Sequence, residues 1–161
     1  MILKNGEIKL NASERLQEFT KNIQNYIDCK NLGPPKFTAE HVLPEMYSTE
    51  NLERLTQDEC FNSAFMLLQY ADYVASEKAS QEIVVKWCEK ALITIISTET
   101  EEMSQYTRHD MKVAHVLRSH DLAKKIDEWK SVAEGRVISL GSKEYSVRKK
   151  SDCLMEKGKR K

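Results

Sequence analysis

Any chemistry in this chain has to start from its four histidines, its four cysteines or its runs of lysine and arginine. The histidines are His41, His109, His115 and His120. A helical zinc motif needs two histidines at i, i+4 with a carboxylate beside them. His109 and His120 are eleven residues apart, His115 falls between them out of register, and His41 stands alone next to Glu40. Cys29, Cys60, Cys88 and Cys153 are widely separated, form no CxxC pair and have no histidine at ligand spacing, which argues against a zinc site. Cys60 and Cys88 lie in helical apolar patterns, where a free thiol acts as a small hydrophobe. There is no nucleophile elbow, Walker loop or dinucleotide glycine motif. With five glycines in all, no phosphate cradle can be drawn. The expectation is no catalytic residue, no metal, no cofactor and no enzymatic activity.

The cations carry more information. The sequence has equal numbers of basic and acidic side chains, but they are unevenly placed. Residues 1–80 hold 8 Lys/Arg against 12 Asp/Glu, a net of −4, and residues 81–161 hold 17 against 13, a net of +4. From Arg136 to the end there are 9 basic and 3 acidic side chains, a net of +6. Cations recur along this half at Lys112, Arg118, Lys124, Lys125, Lys130, Arg136, Lys143, Arg148, Lys149 and Lys150, with Lys157, Lys159, Arg160 and Lys161 beyond. Such a row can neutralise phosphates and release counterions. Asp121, Asp127, Glu128 and Glu134 interleave with it, as expected of a solvated helix face with i, i+3 and i, i+4 pairs; the stretch from Lys143 onwards is cleaner. Trp87, Tyr70, Tyr73 and Trp129 could stack on bases or pack helix against helix, and helical spacing favours the packing role.

Long helices must position these groups. The spacing of Leu16, Phe19, Ile23 and Ile27 predicts a helix over 13–29, ended by the Asn31–Pro35 run, where Gly33 permits a left-handed exit and proline cannot continue. A linker follows to Pro44, and residues 1–12 read as an arm or a short strand around Ile8 and Leu10. Between Glu45 and Glu134 there is no glycine or proline, which is itself a helical signal. A short piece at 51–55 precedes a capping box, Thr56 with Glu59. The long helix from there to about Thr98 carries Phe61, Phe65, Leu68, Ala71 and Val74 or Ala75 on one stripe, resuming at Val84 or Val85, Cys88, Ala91, Leu92, Ile95 and Ile96. It would be roughly 60 Å long. The acidic stretch 97–106 reads as the turn of a hairpin. A second long helix from Arg108 towards Lys150 shows a heptad at Ile126, Ala133, Leu140, Val147 and Leu154, with Val116, Ala123 and Val137 at the other seam position. Lys130 and Glu144 interrupt the seam, Gly135 and Gly141 are points where the helix could bend or end, and the tail beyond Ser151 is expected to fray. The fold class is therefore all-α: a long antiparallel helical hairpin, coiled-coil-like, with a short N-terminal helix and linker. The corresponding segments are 1–47, 48–150 and the basic tail 151–161. Two amphipathic helices cannot bury their own stripes fully, so a homo-oligomer is expected, with Phe65, Leu68, Val116, Ala123, Ile126, Ala133, Val137, Leu140 and Val147 as its core or oligomer seam.

The order of FMLLQYADYVASEKASQEIVVKWCEKAL (65–92), an acidic break, and a helix opening HDMKVAHVL (109–117) resembles the UvsY-type recombination mediators of T-even-like bacteriophages. The resemblance covers roughly residues 60–155 and rests on Tyr70, Tyr73, Met111, Lys112, Leu117, Asp121, Lys125, Trp129 and Val147. It implies a non-enzymatic, oligomeric helper of homologous recombination and DNA repair. Such a protein binds single-stranded DNA and helps a RecA-like recombinase displace the single-strand-binding protein. The family carries a Lys/Arg-rich segment at the end of its first long helix. Here the stretch ITIISTETEEMSQY has no Lys or Arg, so DNA contacts are expected instead at Arg108, Lys112, Lys143, Arg148, Lys149 and Lys150. The rival expectation is a helical protein-interaction or scaffold module that binds no nucleic acid. The −4 half and the acidic turn favour it. The cysteine usage and the lack of a signal core or apolar span point to the cytoplasm, host cytoplasm if the protein is viral, with no membrane partner.

Overall fold

A computed structural model describes residues 11–35 and 38–160. The strand or arm expected around Ile8 and Leu10 lies outside them. Among the described residues the chain is all-α: α1 (Ala12–Cys29), a 3-10 helix (Ala39–Met46), α2 (Thr49–Arg54), α3 (Gln57–Glu99), α4 (His109–Ser119) and α5 (Asp121–Lys159). Helices α3 and α5 are the two arms of a long antiparallel hairpin. The chain divides into two compact units, Met1–Asn31 with Glu82–Gly135 and Leu32–Gln81 with Arg136–Lys161.

In the first unit the apolar face of α1 packs on the second half of α3 and the start of α5. Asn11 caps α1, accepting from Glu14 N at 2.9 Å while Glu14 Oε2 accepts from Asn11 N at 2.7 Å, so two orphan N–H groups are satisfied reciprocally. The helix ends as Asn31 takes a positive φ of 51°. Asparagine, rather than the expected Gly33, supplies the left-handed residue, because its short polar side chain tolerates that region. Ile23 and Ile27 join Val84, Cys88, Leu92, Val116, Ile126 and Ala133 in a continuous core.

The second long helix is not continuous from Arg108. It breaks at His120 (φ −117°, ψ 100°), and His120 Nδ1 accepts the Ala123 N–H at 3.2 Å. The imidazole thereby caps the third residue of α5, the position a serine or aspartate N-cap would serve. Glu89 and Glu134 each lie 3.4 Å from Lys130 Nζ, so the cation that interrupts the heptad is paired.

In the second unit the start of α3 packs on the end of α5. The buried apolar positions on this part of α3 are Cys60, Ala64, Leu67, Ala71 and Val74, one residue out of step with the expected stripe at its start. Phe65 is 61 % exposed and Leu68 half-buried, so Phe65 is outside the intramolecular seam. The shift has a steric cause: small Ala64 and Ala71, fully buried, let α5 approach, while Phe61 fits only where α5 presents Gly158. Val116, Ala123, Ile126, Ala133 and Val147 are buried; Val137 and Leu140 are half-buried.

The tail does not fray at Ser151. Helix α5 runs on to Lys159 because its far end has something to bury. Ser151 Oγ donates to Ala64 O at 2.9 Å, Leu154 is 4 % exposed, and at Gly158 a Cβ would stand 3.0 Å from Phe61 Cε1 and 3.2 Å from Cys60 Cβ. Glycine there permits a close helix–helix approach. Neither Gly135 nor Gly141 ends the helix.

Candidate functional site

The six cations expected to meet DNA fall in both units: Arg108 and Lys112 in the first, Lys143, Arg148, Lys149 and Lys150 in the second. The four on α5 are not a bare basic patch. Glu45, at the end of the 3-10 helix, accepts from Lys143 Nζ at 2.8 and 2.7 Å and from Lys150 Nζ at 2.9 Å. Its side chain is 8 % exposed. Burial alone would push its pKa up, but hydrogen bonds and charge from Lys143 and Lys150 outweigh that and hold it below the ordinary carboxylate value. Arg148 donates to Glu144 at 3.1 Å and to Asp72 at 3.0 Å, and these two bonds hold its guanidinium above its already high pKa. Lys149 pairs with Asp152 at 3.7 Å and reaches over the Tyr145 ring at 5.7 Å. Arg108 pairs with Asp110 at 3.0 Å, while Lys112, half-buried on α4, makes no ion pair among the described residues.

The aromatics divide cleanly. Trp87 lies 6.3 Å from Phe19 and 5.4 Å from Tyr26, and Trp129 meets Phe19 edge-on at 6.1 Å. Both tryptophans therefore lock α1 to the hairpin. Tyr70 sits under Lys143 at 5.7 Å, and Tyr73 bonds Glu77 at 3.3 Å.

Beside the α5 cations the second unit has an open groove of about 570 Å³. Its floor is apolar, formed by Pro44, Leu52, Leu67 and Leu154, with Tyr47 and Tyr145 as walls. Lys149, Lys150 and Lys157 line its rim. Tyr145, Lys149, Cys153 and Lys157 follow one another at i, i+4, so they share one face of α5, and Arg160 continues it. Tyr145 is 66 % exposed. The cation row read from the sequence included Lys149, Lys150, Lys157 and Arg160, though only Lys149 and Lys150 were expected to contact DNA, and Tyr145 and Glu45 were not singled out. The four-residue spacing from Tyr145 to Lys157 was visible. It was hidden by the expectation that the tail frays, which removes any face beyond Ser151. Glu45 could not be found from α5 at all, since it is about a hundred residues away in sequence.

The described residues contain no cluster of histidine, cysteine and carboxylate able to hold a metal ion. None of their helices is long and apolar enough to cross a membrane. Comparison with protein-family models, with curated proteins and with solved structures gives no match for this chain.

Proposed function

We propose that the chain is a non-catalytic, single-stranded-DNA-binding accessory protein whose nucleic-acid surface is the outer face of α5 in the second unit. One observation carries this reading: exposed Tyr145 stands in line with Lys149, Lys157 and Arg160 on a helix that stays regular through Lys159. An aromatic face among aligned cations is the arrangement that holds single strands without reading their sequence, the base stacking on the ring while phosphates meet the charges. Taken with the resemblance to UvsY-type mediators, the role would be to help a RecA-like recombinase displace a single-strand-binding protein. Lys143 and Lys150 contribute less than the sequence suggests, because Glu45 already occupies both.

The test is fluorescence anisotropy with a labelled single-stranded oligonucleotide across a salt series. Replacing Lys149, Lys157 and Arg160 with alanine should flatten the slope of log K against log salt by about 2, since each single-strand phosphate contact contributes about 0.7. Tyr145→Ala should weaken binding by about 1–3 kcal/mol with the slope unchanged. Absence of binding by the unaltered protein at low salt sinks the reading.

A second reading is a helical interaction module without nucleic acid. The pairing of Glu45 with Lys143 and Lys150, and of Asp72 with Arg148, favours it. These carboxylates balance charges that a DNA-binding face would leave open.

A further inference from the structure

The lysine-rimmed groove and the acidic turn after α3 are complementary in chemistry. The end of α3 and the turn after it offer Glu99, Glu101 and Glu102, all exposed, and no Lys or Arg occurs between Lys90 and Arg108. Among the described residues Glu101 and Glu102 have no cationic partner. Tyr106, near the end of the turn, is 88 % exposed, more than any other large apolar side chain described. An exposed ring flanked by unpaired carboxylates offers apolar area and negative charge together, the two things an apolar, lysine-rimmed groove accepts. The groove offers the converse: an apolar floor for a ring, and Lys149 and Lys157 at its rim for carboxylates, Lys150 being held by Glu45. Its one carboxylate, Glu45, is held by Lys143 and Lys150 and does not repel an incoming acid as a free one would.

We infer that the acidic turn of one copy, residues 99–106, seats in the groove of a second copy, with Tyr106 on the apolar floor and Glu101 and Glu102 against the lysine rim. Turn and groove are different patches of the same chain, so each copy donates one and accepts one. Contacts of this kind are heterologous and build a closed ring or an open filament. The inference is independent of DNA binding, because the association is measured with protein alone.

Light scattering and sedimentation over a concentration series at low salt should give a mass above the monomer that falls as salt rises. Tyr106→Ala should weaken association about thirtyfold, the change expected for a buried aromatic anchor. A turn-reversed chain (Glu101→Lys with Glu102→Lys) and a groove-reversed chain (Lys149→Glu with Lys157→Glu) should each be monomeric yet helical by circular dichroism. Mixed one to one, they should associate again. Cys153 lines the groove and is exposed, so it can report the contact directly. With Gln105→Cys in a Cys29→Ser background, mild oxidation should give a ladder of chains linked through Cys153. A monomer at every concentration overturns the proposal, as does association that the reversed variants leave intact. A disulfide that closes within one chain, leaving monomer mass, overturns it equally.

Discussion

Among single residues, Glu45 sets how many cations on α5 are free. A carboxylate with its side chain 8 % exposed between two ammonium groups stabilises the fold only while ionised. Its folded pKa is lowered from 4.5, so its contribution is complete above that value and is lost as the pH falls through the depressed folded value. Glu45→Gln should cost about 1–2 kcal/mol near neutral pH, modest because both lysines are partly solvated. The difference from the unaltered protein should close in urea titrations as the pH falls through the depressed folded value; a difference that persists in strong acid contradicts the assignment. The same variant frees Lys143 and Lys150 and should steepen any salt dependence of oligonucleotide binding. The cysteines make a second test. Cys29 and Cys153 are exposed and Cys60 and Cys88 buried, and burial pushes the Cys88 thiol up to about 11. A disulfide-exchange reagent at pH 8 should titrate two thiols quickly and the other two only on unfolding.

Among elements, the helices and several of their ends were legible: α1 stops at Cys29 and Thr56 with Glu59 caps α3 as expected, but the break in the second long helix and its far end were not. The 3–4 spacing of Leu16 to Ile27 and the heptad from Ile126 to Leu154 lead directly to α1 and α5, because burial periodicity is a local signal. The break at His120 was missed because no glycine or proline marks it; it depends on an imidazole capping Ala123. The continuation to Lys159 was missed because it depends on Cys60 and Phe61, distant in sequence. The candidate groove was illegible for the same reason, since residues near 44–52 and 145–157 meet only in the folded chain. The glycines of α5 separate these two kinds of information. Gly135 is exposed, with nothing within 4 Å of an added Cβ, so Gly135→Ala should raise stability by about 1 kcal/mol. At Gly158 the added methyl meets Phe61 and Cys60, and Gly158→Ala should lose about 1–2 kcal/mol despite its better helix propensity. Thermal melts of the two variants should therefore shift in opposite directions.

For the whole molecule, neutrality conceals an acidic first half and a basic second half, a distribution that suits both a polyanion and a second copy of the chain. Lys149 and Lys157 figure in both contacts and cannot serve both at once. Single-stranded oligonucleotide should therefore lower the mass of the self-assembled protein, read by sedimentation with labelled DNA. If the mass is unchanged while DNA is bound, the two surfaces do not overlap. The distribution of tryptophan has a separate practical consequence. The chain has two, and both, Trp87 and Trp129, pack on Phe19 in the first unit. Selectively excited tryptophan emission is therefore a reporter of that unit alone and is blind to the groove-bearing half, whereas far-ultraviolet dichroism follows the helices of both. Denaturation followed by the two probes together would show, without any label, whether the chain melts in one cooperative step or two.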